Sequence, residues 1–265
     1  DGDDPKAGLS DGGLGERFSN GWGAAAHVPT ILIENHSLKP YEQRVLGTYV
    51  LIAASLRLLA EEGTAVRSAI AADRALRPAE VPANFVPDPT PLETRAFRGV
   101  LYETYDSPAS GRTEIRWLGR PDPELWQVPY FGSRPSLTLR RPTAYWVPAH
   151  RADLIERLRI HGLQMETLET PRSVSVSMLR LVDPVIATRA NEGHIQMSVQ
   201  TVEAEQRDWT WAPGSVRVPT DQPLGDIAVL LLEPQSNESF FAWGLVPEIL
   251  SRVEYIEGYA IAPLA

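Results

Sequence analysis

Val28-Pro29-Thr30-Ile31-Leu32-Ile33-Glu34 is the stretch that decides the reading of this chain. It is a short, β-branched apolar run closed by an acid. That is the pattern of a strand buried in a mostly parallel sheet. The loop Asn35-His36-Ser37-Leu38-Lys39-Pro40 follows. From Tyr41 to about Glu62, Val45, Thr48, Tyr49, Ile52, Leu56 and Leu59 recur at three- and four-residue steps. This spacing predicts a helix, and Gly63 stands where a helix stop is expected. A second, Ala- and Arg-rich helix is expected from Thr64 to about Leu76. Upstream, residues 1–27 are Gly- and Asp-rich, lack an apolar period and read as loop.

Beyond Leu76 the texture changes. Pro78, Pro82, Pro87, Pro89 and Pro91 crowd one stretch, a density that neither a helix nor a hydrogen-bonded ladder is expected to tolerate. A linker is therefore expected over 78–94, with one region at 1–77 and another at 95–265. Short alternating segments between turn signals follow, at 95–105, 113–118, 136–140, 173–182, 194–205, 215–218 and 226–233. Their spacing predicts an antiparallel β domain. Two short helices are expected within it, Ala152 to His161 closed by Gly162, and one near Trp243 to Arg252. The fold class is α+β.

Composition narrows the function. The chain has 265 residues, 25 basic and 34 acidic side chains, a net charge of −9 and no cysteine. A disulfide scaffold and a Cys-ligated metal site are excluded. The acidic balance argues against binding a nucleic-acid backbone, which needs a basic surface. No apolar run reaches the ~20 residues of a membrane span. The start, Asp1-Gly2-Asp3-Asp4, has neither an initiator Met nor an apolar leader and reads as a processed or truncated chain.

Among residues that could carry chemistry, Glu34 stands first. Open α/β sheets place ligands at the carboxyl ends of their strands, and a carboxylate screened by apolar walls can serve as a general base. An ordinary strand-end acid that hydrogen-bonds the next loop fits the same position. His36, two residues on, is either a substrate-rim contact or a plain loop residue. His150 and Asp153 fit helix capping better than metal ligation, and His161 before Gly162 fits a helix C-terminus. Trp209 and Trp211 share a strand face; core filling fits them better than a sugar-stacking platform. No Gly-x-Ser-x-Gly elbow and no phosphate loop is present.

The stretches Pro29 to Tyr41 and Arg44-Val45-Leu46-Gly47-Thr48-Tyr49 closely resemble the end of the catalytic domain of bacterial zinc carboxypeptidases, the carboxypeptidase A-like metallopeptidases. Arg140 to His150, Pro219 to Leu224 and Leu232-Glu233-Pro234 resemble the β-rich C-terminal extension of the same subgroup. The resemblance implies the last strand and helices of an α/β carboxypeptidase domain, followed by a mainly antiparallel β domain. It implies that Glu34 is the catalytic general base, that zinc is the cofactor of the full-length enzyme, that peptides are the substrate and that the enzyme is exported.

The departures are as informative. That family binds zinc through His-x-x-Glu and a later His, all upstream of the catalytic Glu. None of the five histidines here, His27, His36, His150, His161 and His194, has Glu three residues on. Only Arg17 lies upstream as a candidate carboxylate clamp, and the first Tyr is Tyr41. No metal ligand is therefore assigned within this chain, and an upstream catalytic-domain segment is the expected partner. The alternative is a non-catalytic β-domain binding module.

Overall fold

A computed structural model describes residues 4, 6–10, 15–35, 37 and 39–250. In chain order the elements open with β1 (Leu9–Ser10), α1 (Ser19–Ala25), α2 (Tyr41–Arg74), β2 (Glu80–Pro82), β3 (Phe85–Phe97), β4 (Val100–Asp106) and β5 (Thr113–Pro121). Next come β6 (Trp126–Pro135), β7 (Thr138–Arg140), β8 (Ala144–Val147), α3 (Ala152–Ile160), β9 (Glu166–Thr167) and β10 (Arg172–Val182). The series closes with β11 (Val185–Ile186), β12 (Met197–Ser198), β13 (Thr201–Trp211), β14 (Val216–Pro219), α4 (Gly225–Leu232) and a 3₁₀ turn, Pro247–Leu250. The arrangement is mixed α+β with small, mostly antiparallel sheets. Two compact units result, one drawn from Asp1–Leu14 and Phe85–Ser136, the other from Gly15–Asn84 and Leu137–Ala265.

The first unit holds a three-stranded sheet in the order β1-β6-β3 and the antiparallel pair β4-β5. Trp126 and Val128 of β6 are buried. Gly99 is required beside Trp126, because a Cβ there would lie 2.2 Å from the indole. The indole Nε1 donates to Asp122 Oδ2 at 2.8 Å, and this bond holds the Asp122 carboxyl below its ordinary range. β3 runs through the prolines where no ladder was expected. It is an edge strand, the position that tolerates missing N–H groups. Its register shifts between Pro87 and Pro91, where Thr90 N donates to Asp88 Oδ1 at 2.9 Å in a local turn.

The second unit is built around α3, α4 and the sheet β8-β14-β9. Its core joins Leu154, Ile155 and Leu158 of α3, Val216 and Val218 of β14, Ile227 and Ala228 of α4, and Phe240. α3 ends as its sequence predicts. Gly162 has φ of +84°, Leu163 N bonds Leu158 O and Gly162 N bonds Arg159 O. This is the Schellman pattern, completed by contact between buried Leu163 and Leu158. At its start Asp153 is not a cap. Arg151 donates to both Asp153 oxygens, at 3.1 and 2.9 Å, and also to the carbonyl of Leu245 at 2.5 Å. The pairing with Arg151 lowers the Asp153 pKa. Buried Arg151 thereby fastens α3 to the segment after Phe240.

Several sequence expectations give way here. Of residues 226–233, expected as a strand, all but Glu233 lie in α4, whose Ile227, Ala228, Val229 and Leu230 are all buried. A continuous apolar run does not distinguish a buried strand from a helix that is buried all round. Gly63 does not stop a helix: α2 runs unbroken for 34 residues. One interior Gly costs only ~1 kcal/mol, and Ala, Leu, Arg and Glu on both sides favour continuation. Most consequential, Val28–Asn35 form no strand. Their side chains are largely exposed, Ile31 at 73%, because no described strand lies beside them to complete a ladder. The helix expected near Trp243–Arg252 is a 3₁₀ turn as far as Leu250, and its remaining residues lie outside the described ones.

Candidate functional site

The neighbour of Glu34 determines where that carboxylate sits. Asn35 Nδ2 donates to Thr48 Oγ1 at 2.7 Å and to the carbonyl of Arg44 at 3.4 Å. Thr48 Oγ1 in turn donates to the Arg44 carbonyl at 3.0 Å. The residue after Glu34 is thus fastened to the early turns of α2, while the Glu34 side chain itself is exposed. The segment's other end is also fastened. His27 Nδ1 lies 2.7 Å from Asp73 Oδ2 near the end of α2, with the His27 side chain only 10% exposed. His27 has φ of +57°, and Val28 N bonds Gly23 O at 2.7 Å, so the chain reverses sharply out of α1 before running beside α2.

His36 lies outside the described residues. His150 is exposed. His161 Nδ1 accepts a hydrogen bond from Trp22 Nε1 at 3.3 Å, and burial lowers its pKa. Among the described residues no three His, Asp or Glu side chains converge as a metal would require.

The tryptophans divide. Trp211 is buried and stacks on Trp146, with centroids 5.5 Å apart and planes at 16°. Trp209 meets Trp211 edge-on at 6.5 Å. This is packing rather than an open platform.

Sequence reading passed over a second constellation. A cleft of about 510 Å³ opens in the second unit, and Glu34 does not line it. Arg17 reaches into it, its Nη1 2.7 Å from Glu192 Oε2 and its Nε 3.8 Å from Glu238 Oε1. The guanidinium lies over the rings of Phe18 and Trp243, at 4.4 and 5.2 Å. Trp243 Nε1 donates to Glu238 Oε2 at 2.8 Å. Burial raises the pKa of both Glu16 and Glu238 on the cleft wall. No motif marks this group, because Arg17, Glu192, Glu238 and Trp243 come from three separated stretches of chain.

Carboxypeptidase 2 of Trichophyton rubrum is 30% identical to this chain over 155 residues, covering 57% of this chain and 28% of that protein. The chain has a carboxypeptidase relation over part of its length. Proteins of the same name from Trichophyton tonsurans and Trichophyton equinum are each 30% identical over 111 residues, 42% of this chain and 20% of theirs. The chain spans less than a third of the length of these relatives. No family model matches it, and no solved structure does. Among the described residues no helix is long and apolar enough to cross a membrane.

Proposed function

We propose that this chain is the C-terminal part of an exported zinc metallocarboxypeptidase that removes residues from peptide C-termini. In this reading Glu34 takes the proton from the attacking water, His36 sits at the substrate rim, and the zinc ligands lie in a segment upstream of this chain. The observation that carries it is the bare apolar surface beside Glu34. Ile31, Leu32 and Ile33 are exposed, and α2 buries none of its residues. Each large aliphatic side chain left in water forgoes ~1.5–3 kcal/mol. A sheet laid against residues 28–34 would cover them and bring its own side chains up to Glu34. The carboxypeptidase relation over part of the chain supports the same assignment.

The test joins this chain to its upstream coding segment and measures release of the C-terminal residue from a peptide. Zinc is measured in both forms by elemental analysis. Zinc in the extended form, and a loss of about 10²–10⁴ in turnover for Glu34→Gln with folding intact, is the expected result. Wild-type turnover in Glu34→Gln would overturn the general-base role. A second reading, a β-domain binding module, is favoured by one observation: the core around Leu158 and Val218 closes without any residue of α2. An extended form without zinc and without peptidase activity would favour that module.

A further inference from the structure

We infer that the cleft beside Trp243 is a binding site for a guanidinium-bearing side chain of a peptide, and that the chain's own Arg17 holds the place of that ligand. The inference is independent of Glu34 and of the peptidase reading.

Three features meet at one point. The first is the cleft itself, whose volume of about 510 Å³ suits a side-chain-sized ligand. The second is an aromatic wall. The Arg17 guanidinium stands over the Trp243 ring at 5.2 Å, a face that attracts organic cations, and the His194 ring meets Trp243 near-perpendicular at 5.7 Å. The third is charge. Glu16, Glu192 and Glu238 line the cleft against Arg17 and Arg157. Among the described residues lining the cleft, the three carboxylates outnumber the one guanidinium that remains without Arg17. Glu238 accepts the Trp243 indole N–H on Oε2, and its Oε1 stands 3.8 Å from Arg17 Nε. Its side chain is only 14% exposed, so water cannot fully replace a departed cation.

The mode of occupancy also points to a replaceable resident. Arg17 remains 31% exposed. It makes one close ion pair, to the 62%-exposed Glu192, and a long contact of 3.8 Å to Glu238. A planar guanidinium can engage a carboxylate through two parallel bonds. Arg17 does not do so at Glu238, and it stops 3.8 Å short of Oε1.

The experiment titrates Nα-acetyl-arginine amide into the full chain and into Arg17→Ala, following the Trp243 indole N–H by NMR and the heat by calorimetry. The uncharged isostere Nα-acetyl-citrulline amide is the control. Expected are binding at least tenfold tighter in Arg17→Ala than in the wild type, a shifted Trp243 indole signal, no response to the citrulline compound, and loss of binding when Glu238→Gln is added. Equal affinity in the two proteins, equal response to both compounds, or binding that survives Glu238→Gln would each overturn the site. If Arg17→Ala does not fold, Arg17→Gln keeps the bulk and removes the charge for the same comparison. If neither variant folds, the wild type decides: a Trp243 shift with the arginine compound and none with citrulline supports the site, and any other pattern refutes it.

Discussion

α2 and α4 are helices of the same unit that both carry large aliphatic side chains, and their environments are opposite. In α4, Ile227, Ala228, Val229 and Leu230 are buried on every side. α3, β14 and the 240s segment surround it within the core. In α2, Leu46, Tyr49, Val50 and Leu56 are all more than half exposed, and no residue is buried. The large aliphatic side chains of α4 meet a complementary surface, and those of α2 do not among the described residues. A helix with apolar residues on all faces belongs inside something, and for α2 that something is absent from the residues described.

The sharpest way to break this contrast is to truncate a side chain on each side of it. Leu158→Ala, at 0% exposure in α3, is expected to lose about 2–5 kcal/mol in urea unfolding. A loss below 1 kcal/mol would mean that this core is not the stable part of the unit.

A second probe uses Glu233, which follows α4. It accepts a hydrogen bond from Tyr145 Oη at 2.7 Å, yet burial raises its pKa above the ordinary carboxylate value. A raised acid binds more protons folded than unfolded, so its contribution weakens stability as pH rises through its native pKa. Glu233→Gln keeps an acceptor for Tyr145 and removes the charge. It should flatten the fall in stability above about pH 4.5, read as urea midpoint against pH. An unchanged slope would place that pH dependence elsewhere.

Gly63→Ala, in the middle of α2, is expected to add up to ~1 kcal/mol to local helix stability, seen as slower amide exchange around residue 63. Exchange left unchanged would mean that α2 is not helical there. The smallest effect should come from Leu56→Ser. Its side chain is 62% exposed, so global stability should shift by no more than ~0.5 kcal/mol while solubility rises. In the upstream-extended protein the same change should cost several-fold more. Equal effects in both forms would refute a covering partner for α2.

How far the sequence could be read follows from the same contrast. α3 was legible to within a residue, because Gly162 and the Leu154, Ile155, Leu158 spacing are local signals that the core then satisfies. Of the paired strands Arg172–Val182 and Thr201–Trp211, the first matches the expected segment 173–182, while the second was expected at 194–205, because polar residues from Glu203 to Asp208 blur the alternation. The run 28–34 reads as a strand on composition alone, but a strand is a property of neighbours. The Arg17 cleft escaped notice because its members share no spacing. Conversely, the placement of Asn35 on Thr48 could have been suspected from a polar residue immediately after an apolar run, facing a helix that starts six residues later.

The two fastenings of that run have a geometric consequence. Thr48 and Asp73 are 25 positions apart on one helix, a baseline of ~37 Å. The eight peptide steps from His27 to Asn35 can reach at most ~29 Å, leaving the anchoring side chains to span the difference. The segment is strung like a cable along a mast, with little slack at either end. An error of 1 Å at one anchorage turns the mast by only ~1.5° over that baseline. The position of Glu34 is thereby set by the Asn35 anchorage beside it and the His27 anchorage at the far end of the segment.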